Sequence, residues 1–188
     1  MTETAAATTT GKTSWQIDGT HSSVEFAVKH MMFTTVRGRF QEVKGTITAD
    51  EQNPNASVVD VEIAAASIDT GSADRDAHLR SADFLDVENH PTITFRSKRV
   101  EGAAKKEGDQ FRVTGDLTIR GTTREVTLDC RYEGTGKDPW GGTRAGARAT
   151  VTIDRRQWGL QWNQALETGG ILVANDVRIE IDVQAVKQ

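Results

Sequence analysis

The run TRAGARATVTID, Thr143 to Asp154, alternates without a break: Ala145, Ala147, Ala149, Val151 and Ile153 fall on one side, with Arg144, Arg148 and Asp154 on the other. Successive side chains of an extended chain point to opposite faces, so the pattern reads as a β-strand with one apolar and one solvated face. A close-packed core favours Leu, Ile or Phe at inward positions. Three successive alanines there either leave room for something or face large neighbours such as Phe26, Phe95 and Phe111.

The same period of two extends along the chain. SVEFAVKH aligns Val24, Phe26, Val28 and His30, VKGTITA aligns Val43, Ile47 and Ala49, and VVDVEIAA aligns Val59, Val61 and Ile63. FRVTGDLTI aligns Phe111, Val113, Leu117 and Ile119, and EVTLDCRYE aligns Val126, Leu128, Cys130 and Tyr132. The C-terminal run ILVANDVRIEIDVQAV keeps one parity from Ile171 to Ala185, broken only at Asn175. At ~3.3 Å per residue such a strand spans roughly 50 Å if unbroken. The segments DEQNPN, EGAAKKEGD, RGTT and GKDPWGG carry the Gly, Pro, Asn and Asp of turns. Eight or nine long strands with one apolar face each must close around that face, as a barrel or as two packed sheets. The expectation is an all-β domain.

Composition narrows the function classes. A chain of 188 residues, 36% hydrophobic, fits one domain; a domain of that size buries roughly 70% of its unfolded surface. Twenty-three Lys and Arg against 27 Asp and Glu, with no basic cluster, argue against nucleic acid as a partner. The single cysteine, Cys130, has no intramolecular disulfide partner and shares the inward parity of Leu128 and Tyr132, so it reads as an inert buried thiol. The opening MTETAAATTTGKTS has neither the basic start nor the apolar run of a signal peptide, and no stretch reads as an integral membrane segment. The expected organisation is a disordered tail over residues 1–13 and one domain over 14–188, in a cytoplasmic protein.

RDAHLRSADFLDVENHP, Arg75 to Pro91, interrupts the alternation. Ser72 reads as an N-cap for one or two turns of helix, and Ser81 or Asp83 as the cap of another short turn. So short a helix needs tertiary anchors, and Leu79, Phe84, Leu85 and Val87 supply them. Arg75, Asp76, Arg80, Asp83 and Asp86 are then expected to be solvated or paired with one another. His30 and His78 are either satisfied structural histidines, contacts for a ligand's polar end, or, with Asp76 and Asp83, an acid–base or metal group. No HxH or HExxH spacing favours a metal, and the expected cofactor set is empty. His21 and His90 lie beside turns. Trp158 and Trp162, in DRRQWGLQWN, either cover a barrel end or line a ligand path, and Trp140 reads as a turn residue packed on the exterior or rim. Gly169 and Gly170 precede a strand rather than a helix and so make no phosphate loop.

SWQIDGTHSSVEFAVKH, RDAHLRSADFLDVENHPTITF, VTGDLTIRGTTREVTL, KDPWGG, RRQWG and GGILVANDVRIEIDV, taken in order, resemble the YceI-like, or polyisoprenoid-binding, family from about Trp15 to Val186. The resemblance implies an elongated, lipocalin-like antiparallel barrel of eight strands with residues 72–91 as a short helical lid. It implies a non-catalytic bore for a long-chain isoprenoid or similar lipid, a quinone precursor among them, and a homodimer. The residues expected to contact the ligand are Phe26, Val28, His30, His78, Leu79, Phe84, Phe95, Ala145, Ala147, Ala149 and Trp158. Two alternatives remain: an enzyme acting on a hydrophobic substrate through His30 and His78, and an interaction protein whose barrel is filled by its own side chains.

Overall fold

The structure, a computed structural model, describes residues 11–102 and 104–188. Eleven strands and one α-helix follow one another: β1 (Lys12–Ile17), β2 (Ser23–His30), β3 (Thr34–Phe40), β4 (Val43–Asp50), β5 (Val58–Ala64), β6 (Ile68–Asp69), α1 (Ala73–Arg80), β7 (Thr92–Gly102), β8 (Gln110–Ile119), β9 (Thr122–Lys137), β10 (Thr143–Asp154) and β11 (Val173–Lys187). Every ladder is antiparallel, and β1 returns to β11, closing the sheet. The barrel has eight staves because three of them are bent. β1 and β2 both lie along β11, with Ile17 opposite Ala185 and Ser23 opposite Asp182. β4 and β3 pair with them in turn, and β5 and β6 pair with β4 and β3. The eight-stranded closed barrel implied by the family resemblance is therefore what the chain forms.

The predicted tail over residues 1–13 falls mostly outside the described residues, but its last two, Lys12 and Thr13, already pair with Asp50 and Ala49. The break in alternation at Asn175 is a bulge: Val173 stands opposite His30 while Val177 stands opposite Val28, so one strand carries extra residues and the parity survives.

Antiparallel pairing sorts the connections to two ends. One end carries the β2–β3 hairpin tip, residues 70–91, the β8–β9 turn and the long 155–172 connection. At this lid end the inward side chains are large and buried, among them Ile63, Ile68, Ile93, Leu117, Ile119, Val126 and Ile153, joined by Phe84, Leu85 and Leu160 from the connections. The other end carries the β4–β5, β7–β8 and β9–β10 loops, and there the inward residues of β1, β4 and β10 stay partly accessible.

The β2–β3 tip breaks two rules at once. Met31 and Met32 hold φ of 50° and 64°, the left-handed region that favours glycine, in a turn where the Phe33 amide donates to the His30 carbonyl at 3.2 Å. Met32 and Phe33 are 63% and 81% exposed.

Candidate functional site

An apolar bore of about 760 Å³ runs the length of the barrel. Its walls are the odd-numbered residues of β10 and β11, from Ala145 to Ile153 and from Val177 to Ala185, together with the inward residues of the other staves. The three alanines of β10 line it and none is fully buried, so they leave open space. Two glycines on the inward parity do the opposite. A Cβ at Gly38 would stand 2.4 Å from the Phe26 ring, and one at Gly115 would stand 2.8 Å from the Phe95 ring, so those rings occupy the glycine positions. Large residues thus compensate small ones near the lid, and the room is left in the half lined by alanines.

The two ends of the bore differ chemically. At the lid end it is walled by Leu79, Phe84, Leu85 and Leu160, with Arg155 the one charged residue. At the far end, the mouth, its lining includes Asp50, Glu51, Ser57 and Lys105, and both Glu51 and Lys105 are exposed, so the bore meets solvent there.

The lid is strapped down through its charged residues. Asp76 is 7% exposed, and its Oδ1 accepts the Thr70 amide at 2.9 Å and the Thr70 hydroxyl at 2.6 Å. Arg80 donates to the Ala66 and Ile68 carbonyls, both at 2.8 Å, and Arg120 donates to the Phe84 carbonyl at 3.0 Å. Asp76 and Arg80 thus depart from the expectation of a charged side that is solvated or paired with itself, because the neighbouring segment offers an amide, a hydroxyl and carbonyls that satisfy them, while Arg75 and Asp83 stay exposed as expected. Ser72 holds the N-cap position, but its hydroxyl makes no cap hydrogen bond.

Of the residues expected at the ligand, Phe26, Val28, Leu79, Phe84, Phe95, Ala145, Ala147 and Ala149 line the bore. His30, His78 and Trp158 do not. His30 ends β2 beyond the bore's lining, paired across the ladders with Thr34 and Val173. His78 lies on the outer side of the lid, its Nε2 at 2.8 Å from Asp83 Oδ2 and its ring against Phe84 and Trp162 at 5.0 and 4.6 Å. Trp158 is 2% exposed and its indole N–H donates to the Leu117 carbonyl at 2.9 Å, which makes it a plug between the 155–172 connection and β8. Trp140 is 86% exposed at a loop tip and packs on neither rim nor exterior. Among the described residues, no group of three or more His, Cys, Asp or Glu could hold a metal ion, and no helix is long and apolar enough to cross a membrane. Cys130 lines the bore, and burial pushes its thiol up to about 12, well away from the thiolate a nucleophile needs.

Two groups escape a sequence reading. Arg155 continues the odd parity of β10 one step past Ile153, a signal that was available in the pattern but is hidden by the doublet Arg155–Arg156. Arg144, near the mouth, donates to Asp18 Oδ2 at 2.7 Å, Asp138 Oδ2 at 2.9 Å and Gln184 Oε1 at 2.8 Å, clasping the β1–β2 corner, the β9–β10 loop and β11. Hydrogen bonds from the Thr20 hydroxyl and from Arg144 hold the Asp18 carboxyl far below the usual carboxylate range. Only the fold brings these distant residues together.

Comparison with known proteins agrees with this architecture. Among solved structures, Burkholderia cenocepacia BcnA superposes with a TM-score of 0.76 at 22% identity, covering 89% of this chain and 98% of its own. A polyisoprenoid binding domain from Saccharophagus degradans superposes with a TM-score of 0.67 at 14% identity, covering 94% and 99%. At those identities the likeness is one of fold. In sequence, a UPF0312 protein of Pectobacterium atrosepticum is 42% identical over 171 residues, 91% of this chain and 84% of that protein. The protein YceI of Escherichia coli O157:H7 is 44% identical over 144 residues, 77% and 73% respectively. Residues 15–185 match the family model of the YceI-like domain, and with that match over nearly the whole barrel the chain belongs to the YceI-like family.

Proposed function

We propose that the protein binds a long-chain isoprenoid or similar lipid in its bore and serves to hold or carry it, without chemistry on it. The observation that carries this reading is the continuous apolar lining of a cavity of about 760 Å³ that opens at one end. Cavities of ~300–1,000 Å³ are the size that takes organic ligands. Each methylene moved from water into such a bore gains about 0.8 kcal/mol, so a long chain binds through its tail with few polar contacts. The Saccharophagus degradans domain of the same fold is described as polyisoprenoid-binding, which supports the class of ligand. The enzymatic alternative loses its motive, since neither of the two histidines it would use lines the bore.

Native mass spectrometry of the purified full chain, followed by organic extraction, tests the reading. The expected result is a stoichiometric adduct that extracts as a long-chain apolar compound. A protein that arrives empty and also takes up neither geranylgeraniol nor a fatty-acyl probe overturns it.

A further inference from the structure

The bore holds one charge where an apolar cavity has least use for it. Arg155 is 3% exposed and lines the bore at the lid end among Leu79, Leu85, Leu160 and Val173. Its guanidinium is held by backbone carbonyls alone: Nε donates to Ala174 at 2.9 Å, Nη1 to Leu160 and to Trp162 at 3.0 Å, and Nη2 to Val173 at 3.3 Å. The Val173 carbonyl is already engaged at 2.7 Å by Asn163, so the Nη2 contact is the weak one. A guanidinium has five N–H donors, and four are spoken for. The fifth, on Nη2, has no partner among the described residues.

Carbonyl dipoles satisfy donors but leave the charge uncompensated. The adjacent carboxylate of Asp154 is taken by Arg156, which reaches it at 2.6 Å through Nη2 and at 3.0 and 3.2 Å through Nε, and no carboxylate pairs with Arg155 among the described residues. A buried, unpaired cation is costly, and the cost is recovered when an anion enters beside it. The mouth offers nothing comparable: Lys105 shares its rim with Asp50 and Glu51, so the local balance there disfavours an anion.

We propose that Arg155 anchors an anionic end group, a carboxylate or phosphate, of a long-chain amphiphile that enters end group first and leaves its tail toward the mouth. The inference rests on the lipid-binding reading above and adds the polarity and the direction of the cargo. The planar fork of a guanidinium suits such oxyanions, and the charge-assisted bond forms away from water, where it is strongest.

The test compares geranylgeranyl phosphate with geranylgeraniol on delipidated full-length protein by calorimetry. The phosphate is expected to bind about tenfold or more tightly, the worth of a hydrogen bond to a charged group. In Arg155→Met that ratio is expected to fall to about twofold, and in Lys105→Ala to persist. Because Arg155→Met takes the guanidinium donors from the Ala174, Leu160 and Trp162 carbonyls and risks misfolding, the wild-type protein carries a second readout, the ¹⁵N resonance of the Arg155 Nε–H, expected to shift with the phosphate and to stay in place with the alcohol. Equal affinity for the two ligands, a preference that survives in Arg155→Met or vanishes in Lys105→Ala, or an unmoved Arg155 resonance overturns the anchor. Failure of both ligands to bind sinks the lipid-binding reading itself, so the two failures are distinguishable.

Discussion

The lid half and the mouth half of the barrel use the same strands and the same parity, yet they are built for opposite purposes. Toward the lid, Ile63, Ile93, Leu117, Ile119, Val126 and Ile153 bury their side chains, the Phe26 and Phe95 rings fill the spaces left by Gly38 and Gly115, and Trp158 plugs the margin. Toward the mouth the inward row shrinks to Ala145, Ala147 and Ala149, and the space is left open. Close packing is where a core gains most of its stability, and a void forfeits the contacts on one side of its lining. The molecule thus places its stability at one end and its capacity at the other, so substitutions at the two ends should separate the two properties.

The sharpest separation pairs Trp158→Ala with Ala147→Phe. Trp158→Ala removes a fully buried ring and its hydrogen bond to the Leu117 carbonyl, which should cost about 3–5 kcal/mol in urea-induced unfolding. Ala147→Phe puts its ring into open space rather than into a packed core, so stability should change by less than about 1 kcal/mol while retained lipid falls sharply by mass spectrometry. If Ala147→Phe destabilises as much as Trp158→Ala, the mouth half is packed and the division of labour fails.

How much of this was legible follows the same line. Alternation gave the strands, because a half-buried strand writes its two faces into sequence. The alanine row on β10 marked the open half, though it could not tell an empty wall from one covered by aromatic rings. Gly115 has the same small-residue signature as Ala147 and is filled, and only cross-strand placement separates them. Parity also put His30 on the inward row, but the row runs on past the end of the cavity. Two of the lid's charges escape the sequence pattern for a related reason. Asp76 finds its partners in the Thr70 amide and hydroxyl and Arg80 in the Ala66 and Ile68 carbonyls, and backbone leaves no pattern in side-chain identity.

A smaller difference between the halves should appear in acid. Near the mouth, Asp18 and Asp138 both hold carboxyl groups depressed below their usual range, chiefly by the Thr20 hydroxyl and Arg144 for the first and by Arg144 for the second. A depressed carboxyl contributes stability that is fully present above the unfolded-state value of about 4 and is lost as pH falls through the folded-state value. The unfolded chain binds more protons in that window, so Tm should decline as pH drops below about 4. In Arg144→Met the decline should be shallower, because part of the depression is already gone. An Arg144→Met profile parallel to wild type would mean that the clasp does not bind the mouth together.

The smallest effect belongs to the β2–β3 tip, which is exposed and lines no part of the bore. Met32 sits at φ 64° in a turn that favours glycine, and its side chain is mostly exposed. Met32→Gly relieves the left-handed strain but frees the unfolded chain, so the net gain should be about 0.5 kcal/mol in the urea midpoint, with retained lipid unchanged. The comparison sharpens if that holds, because the lid half then contains a spot where sequence works against stability without touching the cavity. A loss of stability instead would show that the Met32 side chain makes contacts worth more than the strain it carries.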